Sequence, residues 1–133
     1  MDLEQMEWRC PDAELVCSGT LRGYRLLFRG SKTGSYATIE RCEGSEVPVL
    51  VWEISAEDER SLDRYEGYPT FYFKEDAAVE TKFGTLFGMA YVMDPRRPLG
   101  IPSAWYYDVL ERAYRRFGFD PSILQKALAD SME

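Results

Sequence analysis

VPVLVWEISAEDERSLDRYEGYPTFYF, residues 47–73, decides the fold class of this chain. Its opening residues, Val47 to Ile54, are nearly all apolar, which suits a strand buried on both faces. Ser55-Ala56-Glu57-Asp58 has the form of a capping box with Asp where Glu is usual, and it opens a helix to about Tyr65. Gly67 and Pro69 stop that helix, and a β-rich run resumes near Phe71. A helix is therefore inserted between strands.

The flanking sequence extends the pattern. Upstream, AELVCSG, GYRLLFRG and SYATIERC are further β-rich runs, punctuated by Gly23, Gly30, Gly34 and Gly44. A short helix is expected from Asp2 to Arg9, with Asp2 as its cap and Pro11 beyond its end. Downstream, strands at about 71–81 and 84–93 are joined by a turn at Lys82–Gly84. Ser103 starts a helix in which Tyr106, Val109, Leu110, Ala113, Tyr114 and Phe117 form one apolar stripe. Asp120-Pro121 opens the last helix, a good cap followed by proline at the first helical position. Strands come first and helices are inserted or appended. The expected class is α+β, a mostly antiparallel sheet or small barrel, in one domain spanning residues 1–133.

Composition removes several kinds of function. A net charge of -7 argues against a phosphate backbone or an anionic membrane surface as the partner, so no nucleic acid and no membrane are expected. No apolar run approaches the roughly 18 residues of a membrane helix, and no signal peptide is visible. Cys10, Cys17 and Cys42 lack metal-ligand spacing and read as reduced thiols of a cytoplasmic protein. The chain contains no histidine, which excludes Ser-His-Asp catalysis, Cys-His catalysis and His-ligated zinc.

The candidate for a residue that carries chemistry is Glu66. It ends the helix, where the macrodipole and free carbonyls disfavour negative charge. Tyr65, Tyr68, Phe71 and Tyr72 are placed to wall it from water, which raises a carboxyl pKa further. An acid held near neutrality suits general acid/base work. A solvated glutamate before a helix-stopping glycine fits the same residues, and the local sequence leaves both readings open. Asp63 and Glu66 stand three apart, as a glycosidase pair might, but such pairs are usually solvated. Glu75-Asp76 reads as a polar strand edge. GSKTG, residues 30–34, has phosphate-loop residue types in the wrong order and reads as a hairpin turn.

MEWRCPDAE, LRGYRLLFRG, YATIE, VLVWEIS, LDRYEGYPTFY, AYVM and PSAWYYDVL together resemble the gamma-glutamylcyclotransferase family, including its AIG2-like members. The segments recur in the family's order over nearly the whole chain, and Tyr-Glu-Gly followed by an aromatic and Tyr is the most specific. The resemblance implies a small mixed β-barrel with flanking helices. It also implies a reaction: the α-amino group of a γ-glutamyl amine or peptide attacks its own γ-carbonyl, releasing 5-oxoproline and an amine. The nucleophile belongs to the substrate, so no cofactor is called for. By resemblance Glu66 is the general acid/base, and Tyr72 and Tyr106 are substrate-binding residues. Tyr91 reads as core.

Two departures matter. Family members begin with a strand ending in Tyr-Gly-Ser-Asn, whose backbone amides hold the γ-glutamyl group, and here Met1-Asp2-Leu3 stands where that motif has just finished. Ala113 replaces a glycine common in relatives. The expectation for the 133-residue form is little or no turnover, with its open sheet edge paired with a second copy or filled by a rearranged segment of its own. Two other roles fit the same residues: a non-catalytic domain binding a γ-glutamyl-like ligand or a protein, and a dimeric scaffold without ligand.

Overall fold

The computed structural model describes residues 3–31 and 34–132. In chain order these form α1 (Leu3–Arg9), β1 (Glu14–Ser31), β2 (Gly34–Glu53), α2 (Ala56–Glu66), β3 (Tyr72–Thr81), β4 (Gly84–Met93), α3 (Ala104–Phe117) and α4 (Pro121–Asp130). The strands make one antiparallel sheet in the order β2-β1-β3-β4. The Asp2 cap lies outside the described residues. So do Lys32 and Thr33 of the GSKTG turn, although the pairing around it runs to Ser31↔Gly34.

The four β-rich runs before Ser55 turn out to be two long strands. AELVCSG and GYRLLFRG join as β1, and SYATIERC and VPVLVWEI as β2. Their pairing jumps from Arg22↔Glu46 to Tyr24↔Arg41, so the residues between Arg41 and Glu46 bulge opposite Gly23. Gly23 (φ 80) and Gly44 (φ 86) take the left-handed backbone that this corner needs. The glycines bend the strands without ending them.

The expected barrel is an open sheet. β1 meets β3 through Thr20↔Glu80, and β2 and β4 are left as the edges. The sheet curls so that these edges approach each other, where the buried Thr38 Oγ1 accepts the Met93 N–H at 2.8 Å. Being an edge, β2 is not buried on both faces as its composition predicts. Val47 and Pro48 are buried, and residues 49–52 are half-exposed.

The capping box on α2 is complete. Ser55 Oγ accepts the Asp58 N–H at 3.1 Å, and the Asp58 carboxylate accepts the Ser55 N–H at 3.3 Å. Asp58 is only 2% exposed, and its carbonyl accepts from Cys10 Sγ at 3.7 Å, tying the end of α1 to the start of α2. At the other end Gly67 (φ 68) terminates α2, its N–H bonded to the Arg64 carbonyl.

Two apolar clusters hold these elements. Leu21, Tyr24, Val47, Ala77 and Val79 pack within the curled sheet. Phe28, Tyr114, Leu124 and Ala127 join α3 and α4 to β1, with Tyr106 and Leu110 against them. Ser131 fastens this second cluster: its Oγ accepts the Phe28 N–H at 2.9 Å and donates to the Ala127 carbonyl at 2.7 Å.

Candidate active site

Glu66 is the last residue of α2, and Gly67 turns the chain directly beneath it. Its side chain is half-buried and lines a cavity of about 450 Å³ bounded by all four strands and by α1, α2 and α3. Met6, Leu62, Tyr91, Tyr106 and Leu110 contribute to the wall. Burial holds the Glu66 carboxyl above the usual carboxylate range, and the Arg9 guanidinium opposes that rise in part. Among the described residues no hydrogen-bond donor meets this carboxylate.

Tyr72 and Tyr106 converge on the backbone of one residue, Ala37, beside Glu66. The Tyr72 hydroxyl donates to the Ala37 carbonyl at 3.0 Å, and the Tyr106 oxygen accepts the Ala37 N–H at 3.1 Å. The two phenols are therefore left with different capacities. Tyr106 keeps its proton to donate, whereas Tyr72 keeps a lone pair to accept. Burial drives both upward in pKa, Tyr106 to about 12, with the neighbouring Glu66 charge adding to each. The structure thus brings Glu66, Tyr72 and Tyr106 into one neighbourhood.

The aromatic wall differs from the expected one. Tyr65 and Tyr68 turn outward, 53% and 40% exposed. Phe71 and Tyr72 do pack inward, with ring centroids 5.2 Å apart. Their partners come from elsewhere in the chain: Tyr36 stands edge-on to Tyr106 at 5.3 Å and to Phe71 at 6.2 Å. Tyr65 precedes Glu66 on α2 and so stands about 100° around the helix from it, which turns its ring away from the cavity that Glu66 lines.

Asp63 does not pair with Glu66. Tyr91 Oη donates to Asp63 Oδ1 at 2.5 Å, and Lys74 Nζ lies 3.0 Å from Asp63 and 2.6 Å from Glu59. Tyr91 is accordingly half-buried with a bonded hydroxyl, not a plain core residue. These contacts pin the last turn of α2 to β3 and β4. The Tyr91 hydrogen bond holds Asp63 below the usual carboxylate range. Its stabilisation is present above the ordinary carboxylate pKa and lost as pH falls through the lowered folded value. Tyr91→Phe should therefore reduce Tm by a few degrees at neutral pH, with the deficit vanishing in strong acid. Circular dichroism melts across pH test this, and an equal deficit at every pH would assign the loss to packing.

Arg9, which local reasoning passed over, faces the same end of α2. Its guanidinium stacks over the Tyr65 ring, 3.4 Å from the centroid, and donates to Gln5 Oε1 at 2.7 Å. No carboxylate of the described residues lies within ion-pairing distance of it. Among those residues no group of three or more His, Cys, Asp or Glu is arranged to hold a metal ion, and no helix is long and apolar enough to cross a membrane.

An open antiparallel sheet flanked by helices is an architecture shared with solved proteins. The family described as gamma-glutamyl cyclotransferase, AIG2-like, matches residues 1–108. This chain belongs to that family. A solved structure described as a gamma-glutamyl cyclotransferase superposes with a TM-score of 0.82 at 26% identity, covering 93% of this chain and 78% of that one. The human uncharacterized protein loc79017 gives 0.81 at 26% identity, with the same coverages. YkqA of Bacillus subtilis shares the fold at a TM-score of 0.77 and 17% identity, covering 98% of this chain and 48% of its own. A search of curated proteins found no match.

Proposed function

We propose that this domain cyclises a γ-glutamyl amine or peptide to 5-oxoproline, with Glu66 as general acid/base. One observation carries the reading: a half-buried carboxylate of raised pKa, unclaimed by any donor among the described residues, lines a cavity beside two buried tyrosines. The substrate's α-ammonium gives a proton to Glu66 and becomes a nucleophile. Its nitrogen attacks the γ-carbonyl carbon, forming the ring bond, and the bond from that carbon to the leaving nitrogen breaks. Glu66 returns the proton to the leaving nitrogen, and the second proton that the ring nitrogen sheds on becoming an amide follows to the departing amine, which leaves as an ammonium. Atoms balance without water. The remaining contribution is positioning, worth roughly 7–11 kcal/mol when attacking groups are well oriented. Tyr106 supplies the donor and Tyr72 the acceptor that orient the ligand. A reduced, cytoplasmic setting is part of the same proposal.

The test is 5-oxoproline release from a panel of γ-glutamyl amino acids, the γ-glutamyl-lysine isopeptide and γ-glutamyl polyamines. Release from one class defines the substrate. Binding of the panel without release from any member would make this a ligand-binding domain instead.

A further inference from the structure

The cavity that Glu66 lines belongs to a protein of net charge -7, yet every γ-glutamyl substrate is itself a carboxylate. An anionic ligand gains from a cation beside it. Arg9 lies within Coulombic reach of Glu66: it is not part of the cavity wall, and it stacks on Tyr65, the residue before Glu66 on α2. Its setting is that of a pre-organised anion receptor. The guanidinium carbon sits over the Tyr65 ring, 3.4 Å from its centroid, and Nη1 donates to Gln5 Oε1 at 2.7 Å. Stacking uses a face of the group and leaves its in-plane N–H donors pointing outward. Arg22, Arg25, Arg29, Arg96, Arg112 and Arg115 each meet a carboxylate in the folded chain, and among the described arginines that do not, Arg9 is the one whose charge acts on Glu66. Arg9 is held in place and its charge is unmatched among the described residues.

We propose that Arg9 recognises a carboxylate of the ligand bound beside Glu66. This rests on the cyclisation reading for the ligand's class but not for the recognition itself. The carboxylate has two possible sources, the α-carboxylate of the γ-glutamyl group and a carboxylate on the departing amino acid. Arg9 sits on α1 and Glu66 on α2, two elements joined by the Cys10 contact to Asp58, so the receptor and the acid keep a fixed separation.

The experiment measures binding by titration calorimetry to the parent and to Arg9→Met, which keeps an apolar stem on Tyr65 and removes the charge. Two matched pairs of probes serve: 5-oxoproline against 2-pyrrolidinone, and γ-glutamyl-alanine against γ-glutamyl-alaninamide. Loss of a charge-assisted pair corresponds to about a 10- to 100-fold weaker Kd. A loss of that size for 5-oxoproline and not for 2-pyrrolidinone supports the proposal with the α-carboxylate as source. A loss for γ-glutamyl-alanine and not for its amide supports it with the departing carboxylate. Arg9→Lys should recover part of the affinity, since it restores charge without the planar fork. Equal weakening of all four probes, or no weakening, overturns the proposal and leaves Arg9 as a structural group. If binding follows Arg9 while no 5-oxoproline forms from any substrate, the cyclisation reading fails and carboxylate recognition stands.

Discussion

Glu66→Gln will lower 5-oxoproline formation by about 10²- to 10⁴-fold, the range for removal of a general acid/base, and will leave the protein folded. Glutamine keeps the shape of the side chain and cannot take a proton from the α-ammonium. The same substitution should stabilise the domain at neutral pH. Burial raises the Glu66 pKa, so the folded state favours the protonated acid more than the unfolded chain does. The stability this gives is present below the unfolded carboxyl pKa and is lost as pH rises through the folded value. Above that value the charged glutamate is a net cost, which glutamine removes. Melting curves against pH should show parent and variant together in acid, with the variant higher by a few degrees near pH 7. The parent's kcat/KM should rise with pH through the raised Glu66 pKa, and the variant's residual rate should lose that step. Full turnover by Glu66→Gln would move the proton transfer to another group. A lower Tm at neutral pH would show that the carboxylate has a stabilising partner.

The contrast between Glu66 and Arg9 shows what the sequence makes legible. The helix carrying Glu66 is written in local rules. Ser55 and Asp58 cap it and Gly67 ends it, and each acts within a few residues of itself. The same holds for Ser103 and Asp120 at the starts of α3 and α4. Features that depend on contacts between distant parts of the chain were not legible. The β1–β2 corner reads as strand ends because Gly23 and Gly44 are indistinguishable from turn glycines until the hairpin register is known. Val47–Ile54 reads as a central strand because composition reports burial and not which strand pairs beside it. Tyr36 was readable only as an aromatic in a β run, yet it buttresses Tyr106 from across the fold. Arg9 lies within MEWRC, and its relation to Glu66 exists only once α1 lies beside α2. The alternation of Tyr36 with Ala37 in β2 was the one local signal that could have separated wall from rim. Resemblance supplied the roles of Tyr72 and Tyr106. The structure adds which one keeps its proton.

Phe28→Ala will cost about 3–5 kcal/mol, a large share of the roughly 5–15 kcal/mol that holds a domain of this kind together. Phe28 has 0% of its surface exposed and is the centre on which α3 and α4 dock. Its ring meets Tyr107 at 6.2 Å, and its neighbours Tyr114, Leu124 and Ala127 are themselves buried. The backbone of Phe28 is bonded on both sides, its N–H to Ser131 Oγ and its carbonyl to the Gly100 N–H at 3.1 Å. Those bonds do not involve the ring, so β1 is held in place and the void cannot collapse easily. Urea unfolding should therefore show a lower midpoint at nearly constant m-value. Phe87→Ala provides the comparison within the same protein. Phe87 is 84% exposed, and its loss should change stability by no more than about 0.5 kcal/mol. The two truncations remove the same atoms, so their difference measures burial alone. Tyr106 packs against the Phe28 cluster, which links the core to the candidate site. At temperatures where Phe28→Ala remains folded, its KM should rise more than its kcat falls, because Tyr106 is loosened while Glu66, on α2, is untouched. A kcat loss as deep as that of Glu66→Gln would break this separation and place the α3–α4 core within the chemistry itself.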